Sequence, residues 1–212
     1  MKIIGFSSGA VGYDSNVDRM VKAIMDKSGH ESEFVKLTDL NYTGCKGCVQ
    51  LCAKPQVCKL EDDLFPYYEK IKEADAVVVG SPVYFNSINA STMTFLERFF
   101  AYRHVTSAIK GKPFVLATAS GGLYDSLRDQ FTERLTRLFR VEVLDFVHYS
   151  SNIVPCFRCG RHKQCRIGGL YEMVGEAALT TKITPEMFST WEDDPETVAA
   201  VDAAAEKLKA LR

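Results

Sequence analysis

Four cysteines fall within fourteen residues, at Cys45, Cys48, Cys52 and Cys58, with the spacing Cys-x2-Cys-x3-Cys-x5-Cys. Thiolates this close suit one compact metal centre but leave too little chain between them to fold alone. Two zinc knuckles are usually separated by more than about ten residues, and here only three lie between Cys48 and Cys52. A [4Fe–4S] cube, whose irons are spread apart and accept ligands from successive turns, matches the spacing better. Zinc and unligated thiols are the other readings. Gly44 and Gly47 would let the backbone approach a cluster without a Cβ in the way. A second group, Cys156, Cys159 and Cys165, lies among Arg158, Arg161, Lys163 and Arg166, cations that would offset an anionic thiolate cluster. With His162 these three suit a zinc site of three sulfurs and one imidazole; a second cluster and free thiols are the alternatives. His30, His104 and His148 show no pairing spacing and read as surface or core residues.

Such centres need a scaffold, and 212 residues suit one domain with an appendage. A net charge of −1 argues against nucleic-acid binding and against a polybasic membrane contact. The N-terminal apolar run is too short for a signal peptide and no apolar stretch is long enough to span a bilayer, so a cytoplasmic location is expected. In a reducing compartment, seven cysteines clustered as four and three favour metal ligation over disulfides.

Residues 2–7 form an apolar run ended by a Gly/Ser turn, as in a strand buried on both faces. Val17, Met20, Val21, Ile24 and Met25 then follow helical spacing. Phe34, Val35 and Leu37 predict a second strand, and Asp62 or Asp63 a cap for a helix reaching about Glu73. A third strand at Ala76–Val79 stops at Gly80-Ser81-Pro82, and a helix follows from about Ala90 to Tyr102. Strands at Pro113–Thr118 and Val141–Tyr149 flank a helix marked by Leu127, Phe131, Leu135, Leu138 and Phe139. This alternation predicts an α/β fold, a flavodoxin-like doubly wound parallel sheet of five strands in the order 2-1-3-4-5, with ligands beyond the carboxyl ends of the strands. The cysteine-rich loop, residues 41–60, follows the second strand and is expected at the same edge. Residues 1–149 form this domain; residues 150–212 form a C-terminal extension with the second cysteines, little periodicity, and a final helix opened by Asp194-Pro195-Glu196.

The first loop, Ser7 to Asn16, leads into a helix N-terminus, where free N–H groups and the helix dipole suit a phosphate; a plain turn with Ser15 as helix cap is the alternative. It has neither a Walker lysine nor a Gly-x-Gly-x-x-Gly pattern. The most specific string is Ser81-Pro82-Val83-Tyr84-Phe85, between a β-branched strand and a polar turn with an apolar helix. It resembles the flavin-contacting loop of the NADPH-dependent FMN reductase family. With the compact cysteines upstream, roughly residues 1–150 resemble that family's iron–sulfur flavoprotein branch. The resemblance implies FMN phosphate at Ser7, Ser15 and Asn16, and an isoalloxazine lined by Pro82, Val83, Tyr84, Phe85 and Asn86. It also implies a pyrimidine edge near Ser120, Gly121 and Gly122, and Cys45, Cys48, Cys52 and Cys58 as cluster ligands. Three departures stand out. Gly9-Ala10-Val11 replaces the family's usual basic turn and removes one charge-assisted phosphate contact; Asn86 stands where Gly is usual; and three residues, not two, separate Cys48 from Cys52.

The expected activity is that of an FMN-dependent oxidoreductase or electron-transfer protein with one [4Fe–4S] cluster, coupling one- and two-electron carriers. FMN is expected rather than FAD, because nothing resembles an adenosine-binding unit. The resemblance implies ferredoxin-like partners, with a nicotinamide donor also open, and homodimers or homotetramers that bring flavin and cluster together across subunits. No acid or base is required, so no catalytic side chain is assigned. A plain NAD(P)H-dependent flavin or quinone reductase without a cluster, and a non-enzymatic flavin carrier or sensor, are the rival readings.

Overall fold

The computed structural model describes residues 1–121 and 125–211. Five parallel strands, β1 (Lys2–Ser7), β2 (Glu31–Lys36), β3 (Ala76–Tyr84), β4 (Pro113–Ser120) and β5 (Glu142–Ser150), pair in the order 2-1-3-4-5. The three central strands are apolar on both faces because helices cover both. Ala76 and Val78 face one side of β3 and Val77 and Val79 the other, each fully buried. On one side lie α1 (Asn16–Ser28) and α5 (Pro195–Lys209), whose Met20, Ile24, Val201 and Leu208 share a core with Ile3, Val78 and Val147. On the other lie α2 (Phe65–Glu73), α3 (Ala90–Glu97) and α4 (Asp125–Phe139), contributing Tyr68, Phe95 and Phe131 around Phe6, Val79 and Phe114. The final helix therefore covers the sheet as an integral part of the second layer. Among the described residues no helix is long and apolar enough to cross a membrane.

Three boundaries differ from the sequence reading. Strand β3 runs on through Gly80, Ser81 and Pro82 to Tyr84 instead of stopping there, because β4 pairs with it as far as Pro82 and Ser87–Ile88 pair with its last two residues. Strand β2 starts at Glu31 rather than Phe34: it is an edge strand, so its first residues are solvated and polar and carry little apolar signal. Neither Asp62 nor Asp63 caps α2, whose first turn follows Leu64 with no side-chain cap. The Asp62 carboxylate is drawn to buried Arg98, and that of Asp63 accepts from the Asn41 N–H.

Helix α1 lies close on the sheet because β1 and β3 carry glycines beneath it. A Cβ on Gly80 would lie 2.5 Å from Val21 and 2.8 Å from Val17. Gly80→Ala is expected to destabilise the fold by about 1–3 kcal/mol, the usual effect of forcing a methyl group into a filled core. The urea midpoint should fall with unchanged slope. An unchanged midpoint would mean that α1 does not seat on Gly80.

Candidate functional site

At the carboxyl edge, four segments line an open cleft of ≈ 390 Å³. The first loop contributes Tyr13, Ser15 and Asn16; the end of β3 Pro82, Val83 and Tyr84; the end of β4 and the residue after it Ser120 and Gly121; and the extension Val154 and Arg158. The expected residues Ser15, Asn16, Pro82, Val83, Tyr84, Ser120 and Gly121 thus meet in one recess, while Gly122 lies outside the described residues. Ser7 is buried below the loop, its hydroxyl accepting from the Gly9 N–H at 3.3 Å.

Ser15 is the N-cap of α1. Its hydroxyl accepts from the Asp18 N–H while its own backbone N–H donates to Asp18 Oδ2 at 2.8 Å, a capping box that fixes the helix entry, and the hydroxyl donates to the same oxygen. Asn16 is turned toward the extension, donating to Ser189 O and accepting from the Trp191 N–H. The cap alternative is therefore realised in the hydroxyl. The first-turn N–H groups still give this end of the cleft a positive potential.

The Ser81–Ser87 stretch is a β-hairpin. Residues Ser87–Ile88 fold back antiparallel on the end of β3, pairing Tyr84 with Ser87 across Phe85 and Asn86. Both turn residues have positive φ, 51° and 59°, as tight hairpin turns matched to strand twist require. Asn tolerates that geometry nearly as well as glycine, which accounts for its presence at 86. Phe85 is fully exposed, and it and Asn86 form the hairpin tip beside the residues that line the cleft. Tyr84 is half-exposed at the cleft, its phenol raised above the ordinary value by burial and by neighbouring Tyr13.

A buried network missed in the sequence locks the first loop to this hairpin. Ser8 Oγ donates to Asn89 Oδ1 at 2.8 Å and lies 2.6 Å from Thr92 Oγ1, while Asn89 Nδ2 donates to Ser8 O. The Asn89 N–H donates to Ser81 Oγ, and Asn89 also caps α3. The available signal was an Asn placed before a helical run. His148, read as bland, stands beneath the loop after β4, 2.9 Å from Thr118 Oγ1 and 3.5 Å from Ser120 Oγ.

The cysteine loop leaves β2 at the carboxyl edge, where the Tyr42 hydroxyl donates to Ser91 O. It then runs alongside α3, which with its tighter continuation Arg98–Tyr102 carries the chain about 20 Å back toward the amino edge. Cys58 Sγ accepts from Arg98 Nε at 3.1 Å, and Cys52 Sγ lies 3.2 Å from His104 Nε2, both in the far half of that run. These two cysteines therefore lie away from the cleft, contrary to the expectation that the whole loop sits at its edge. Cys52 and Cys58 are buried, Cys48 is half-buried and Cys45 exposed. Burial pushes the Cys52 thiol up, and the Cys48, Cys58 and Cys45 sulfurs add to this. In number and type the donors fit a cluster. Among the described residues no three Cys, His, Asp or Glu side chains are already gathered as a metal site.

Of the second group, Cys156 and Cys165 both abut Gly168, where a Cβ would lie 2.8 and 3.1 Å from their sulfurs. Cys159 is exposed on the same helical turn as Cys156. His162 is buried, with Nε2 at 2.9 Å from Thr181 O and no partner for Nδ1.

Residues 1–148 match the NADPH-dependent FMN reductase family, and the chain belongs to it. An iron–sulfur flavoprotein of Methanocaldococcus jannaschii is 31% identical over 128 residues, covering 58% of this chain and 65% of that one. Another, from Archaeoglobus fulgidus, is 34% identical over 95 residues, covering 45% and 46%. The alignments thus span about half to two thirds of these relatives' length. A solved NAD(P)H:quinone oxidoreductase from Methanothermobacter marburgensis has the same fold, with a TM-score of 0.55 at 16% identity over 84% of this chain and 92% of that one.

Burial holds the His148 imidazole below its ordinary value. The unfolded chain then takes up a proton more readily than the folded one. The stability contributed by His148 is full above the ordinary value of about 6.5 and is lost as the pH falls from there through the lower folded value. In thermal melts between about pH 8 and pH 5, wild type should lose stability faster than His148→Gln as the pH falls. Parallel curves would exclude His148 from the acid response.

Proposed function

We propose that this protein is an FMN-dependent oxidoreductase whose cysteine loop holds one [4Fe–4S] cluster through Cys45, Cys48, Cys52 and Cys58. One observation carries the flavin half of this reading: loops distant in sequence meet in one cleft at the strand-order reversal, where α/β folds of this topology bind ligands. The cleft suits FMN, with a helix N-terminus for the phosphate at one end and an apolar wall of Pro82, Val83 and Tyr84 for the ring system. The four cysteines and the relatives named iron–sulfur flavoproteins support the cluster half. A flavin exchanges one or two electrons and a cubane one, so the pair would join a two-electron donor to a one-electron acceptor.

The side chains have supporting roles in this scheme. Pro82, Val83 and Tyr84 exclude water from one face of the ring, and the Ser120–Gly121 turn offers hydrogen-bonding groups at its edge. Arg98 donates to Cys58 and would do the same for a liganded thiolate, stabilising its negative charge. We propose a ferredoxin-like or nicotinamide partner and a homodimer or homotetramer. The assembly is supported by the position of Cys52 and Cys58 far along α3, and by exposed Val49, Leu51, Phe100 and Val105 around that end. A neighbouring subunit covering these side chains would bring its own cleft toward the cysteines.

The second reading is a cluster-free NAD(P)H-dependent flavin or quinone reductase, which the similarity in fold to a solved NAD(P)H:quinone oxidoreductase keeps open. Anaerobically purified protein should release FMN, identified by mass spectrometry, and contain about four iron and four sulfide per chain. Cys48→Ala should lose the iron and sulfide and keep the FMN. FAD in place of FMN, or metal content unchanged in Cys48→Ala, would contradict the proposal. Rapid NAD(P)H oxidation by iron-free protein would establish the second reading.

A further inference from the structure

We infer that Arg158, carried by the C-terminal extension, supplies the cation for the flavin phosphate that the first loop lacks, and so sets a preference for FMN over riboflavin. This rests on the reading of the cleft as the FMN site.

A flavin phosphate carries close to two negative charges and is bound best by charge-assisted hydrogen bonds. The first loop offers no Lys or Arg between Ser7 and Asn16, and it contains Asp14. The Asp18 carboxylate is buried just beneath, its Oδ1 without a hydrogen-bond partner, and a Cβ on Gly9 would lie 2.4 Å from it. The first loop thus brings a carboxylate but no cation of its own to this end, leaving the helix N–H groups as its contribution to a phosphate.

The cations of the surrounding elements are already engaged. Lys22 pairs with Asp14 at 2.7 Å, Arg19 with Glu192 at 2.6 Å and Lys36 with Asp18 at 3.1 Å. Arg158 differs. It lines the cleft beside Tyr13, Ser15 and Asn16, and among the described residues it makes no ion pair. Its guanidinium lies 4.0 Å from the centroid of the Tyr13 ring and 5.3 Å from that of Phe188. Ring contacts of this kind hold the planar head in place yet leave its N–H edges free for an anion.

The clamp is itself anchored. Phe188 precedes Ser189, whose carbonyl accepts from Asn16 and whose hydroxyl accepts from Tyr149 at 3.0 Å. The Trp191 N–H donates to Asn16, and Glu192 pairs with Arg19. The extension is therefore fixed to the first turns of α1, and Arg158 is fixed with it. The role expected for a basic turn in the first loop passes to a residue more than a hundred positions downstream, beyond the stretch that matches the family.

The test is equilibrium binding of FMN and of riboflavin to the flavin-free full-length chain, followed by flavin fluorescence, for wild type, Arg158→Gln and Arg158→Lys. Arg158 is solvent-exposed, so both variants should fold, and circular dichroism melts check that. Arg158→Gln should weaken FMN by about tenfold or more and leave riboflavin within about twofold, while Arg158→Lys falls between. The salt dependence of FMN binding should also decrease in Arg158→Gln. FMN affinity unchanged, or FMN and riboflavin weakened in parallel, overturns the assignment and leaves the cleft reading standing. Wild type that binds neither flavin overturns the cleft reading, and this assignment with it.

Discussion

The hydrogen bonds joining Ser8, Ser81, Asn89 and Thr92 hold the two central loops of the carboxyl edge in fixed relation. Strand order reverses between β1 and β3, so the chain leaves β1 toward β2 on one side and leaves β3 toward β4 on the other. That divergence opens a crevice. Left unfastened, its walls would be solvent-exposed loops with no reason to keep one spacing. Asn89 supplies the fastening: its side chain accepts from Ser8 and the Thr92 N–H and donates to Ser8 O, while its own N–H donates to Ser81. Buried polar groups this well satisfied specify one arrangement, because breaking any single bond strands a desolvated partner. The hairpin that carries Tyr84 and the helix N-terminus beneath Ser15 both inherit their positions from this knot.

The cysteine loop depends on a second buried polar centre. Arg98 has almost no solvent exposure, yet its guanidinium donates to Asp62, to Thr43 O and Leu60 O at 3.2 Å, and to Cys58. It also lies over the Tyr68 ring. Thr43 and Leu60 are near the two ends of the cysteine loop, so one charged head closes the loop and neutralises Asp62. Removing only one member would leave a buried charge uncompensated, which is far more damaging than the net worth of the pair. This centre and the Asn89 knot act on opposite ends of α3, which explains how one helix positions both the cleft and the far cysteines.

The five strands and most helices were legible because central strands buried on both faces and amphipathic helices leave unambiguous patterns. The gathering of the chain segments at the carboxyl ends of β1, β3 and β4 was legible for the same reason, since topology alone places them together. What escaped has a physical cause in each case. Glu31–Glu33 are strand residues that look like loop because an edge strand is half solvated. Nothing local in the sequence marks Arg98 as buried, since only the folded chain brings Asp62 and Cys58 to it. The two-residue turn that exposes Phe85 had no clear signal, because Asn rather than Gly stands at 86. Arg158 was seen only as a neighbour of Cys156 and Cys159, since nothing local announces that the extension returns to Tyr13.

Amide hydrogen exchange of the full chain with and without added FMN tests most directly whether this cleft is the cofactor site. FMN should slow exchange in residues 10–17, 82–84, 119–121 and 151–158, the segments that wall the cleft, and leave the recess beside Arg103, Lys110 and Arg140 at the amino edge unchanged. Protection confined to that amino-edge recess, or no protection in the first loop, would contradict a flavin site at the carboxyl edge.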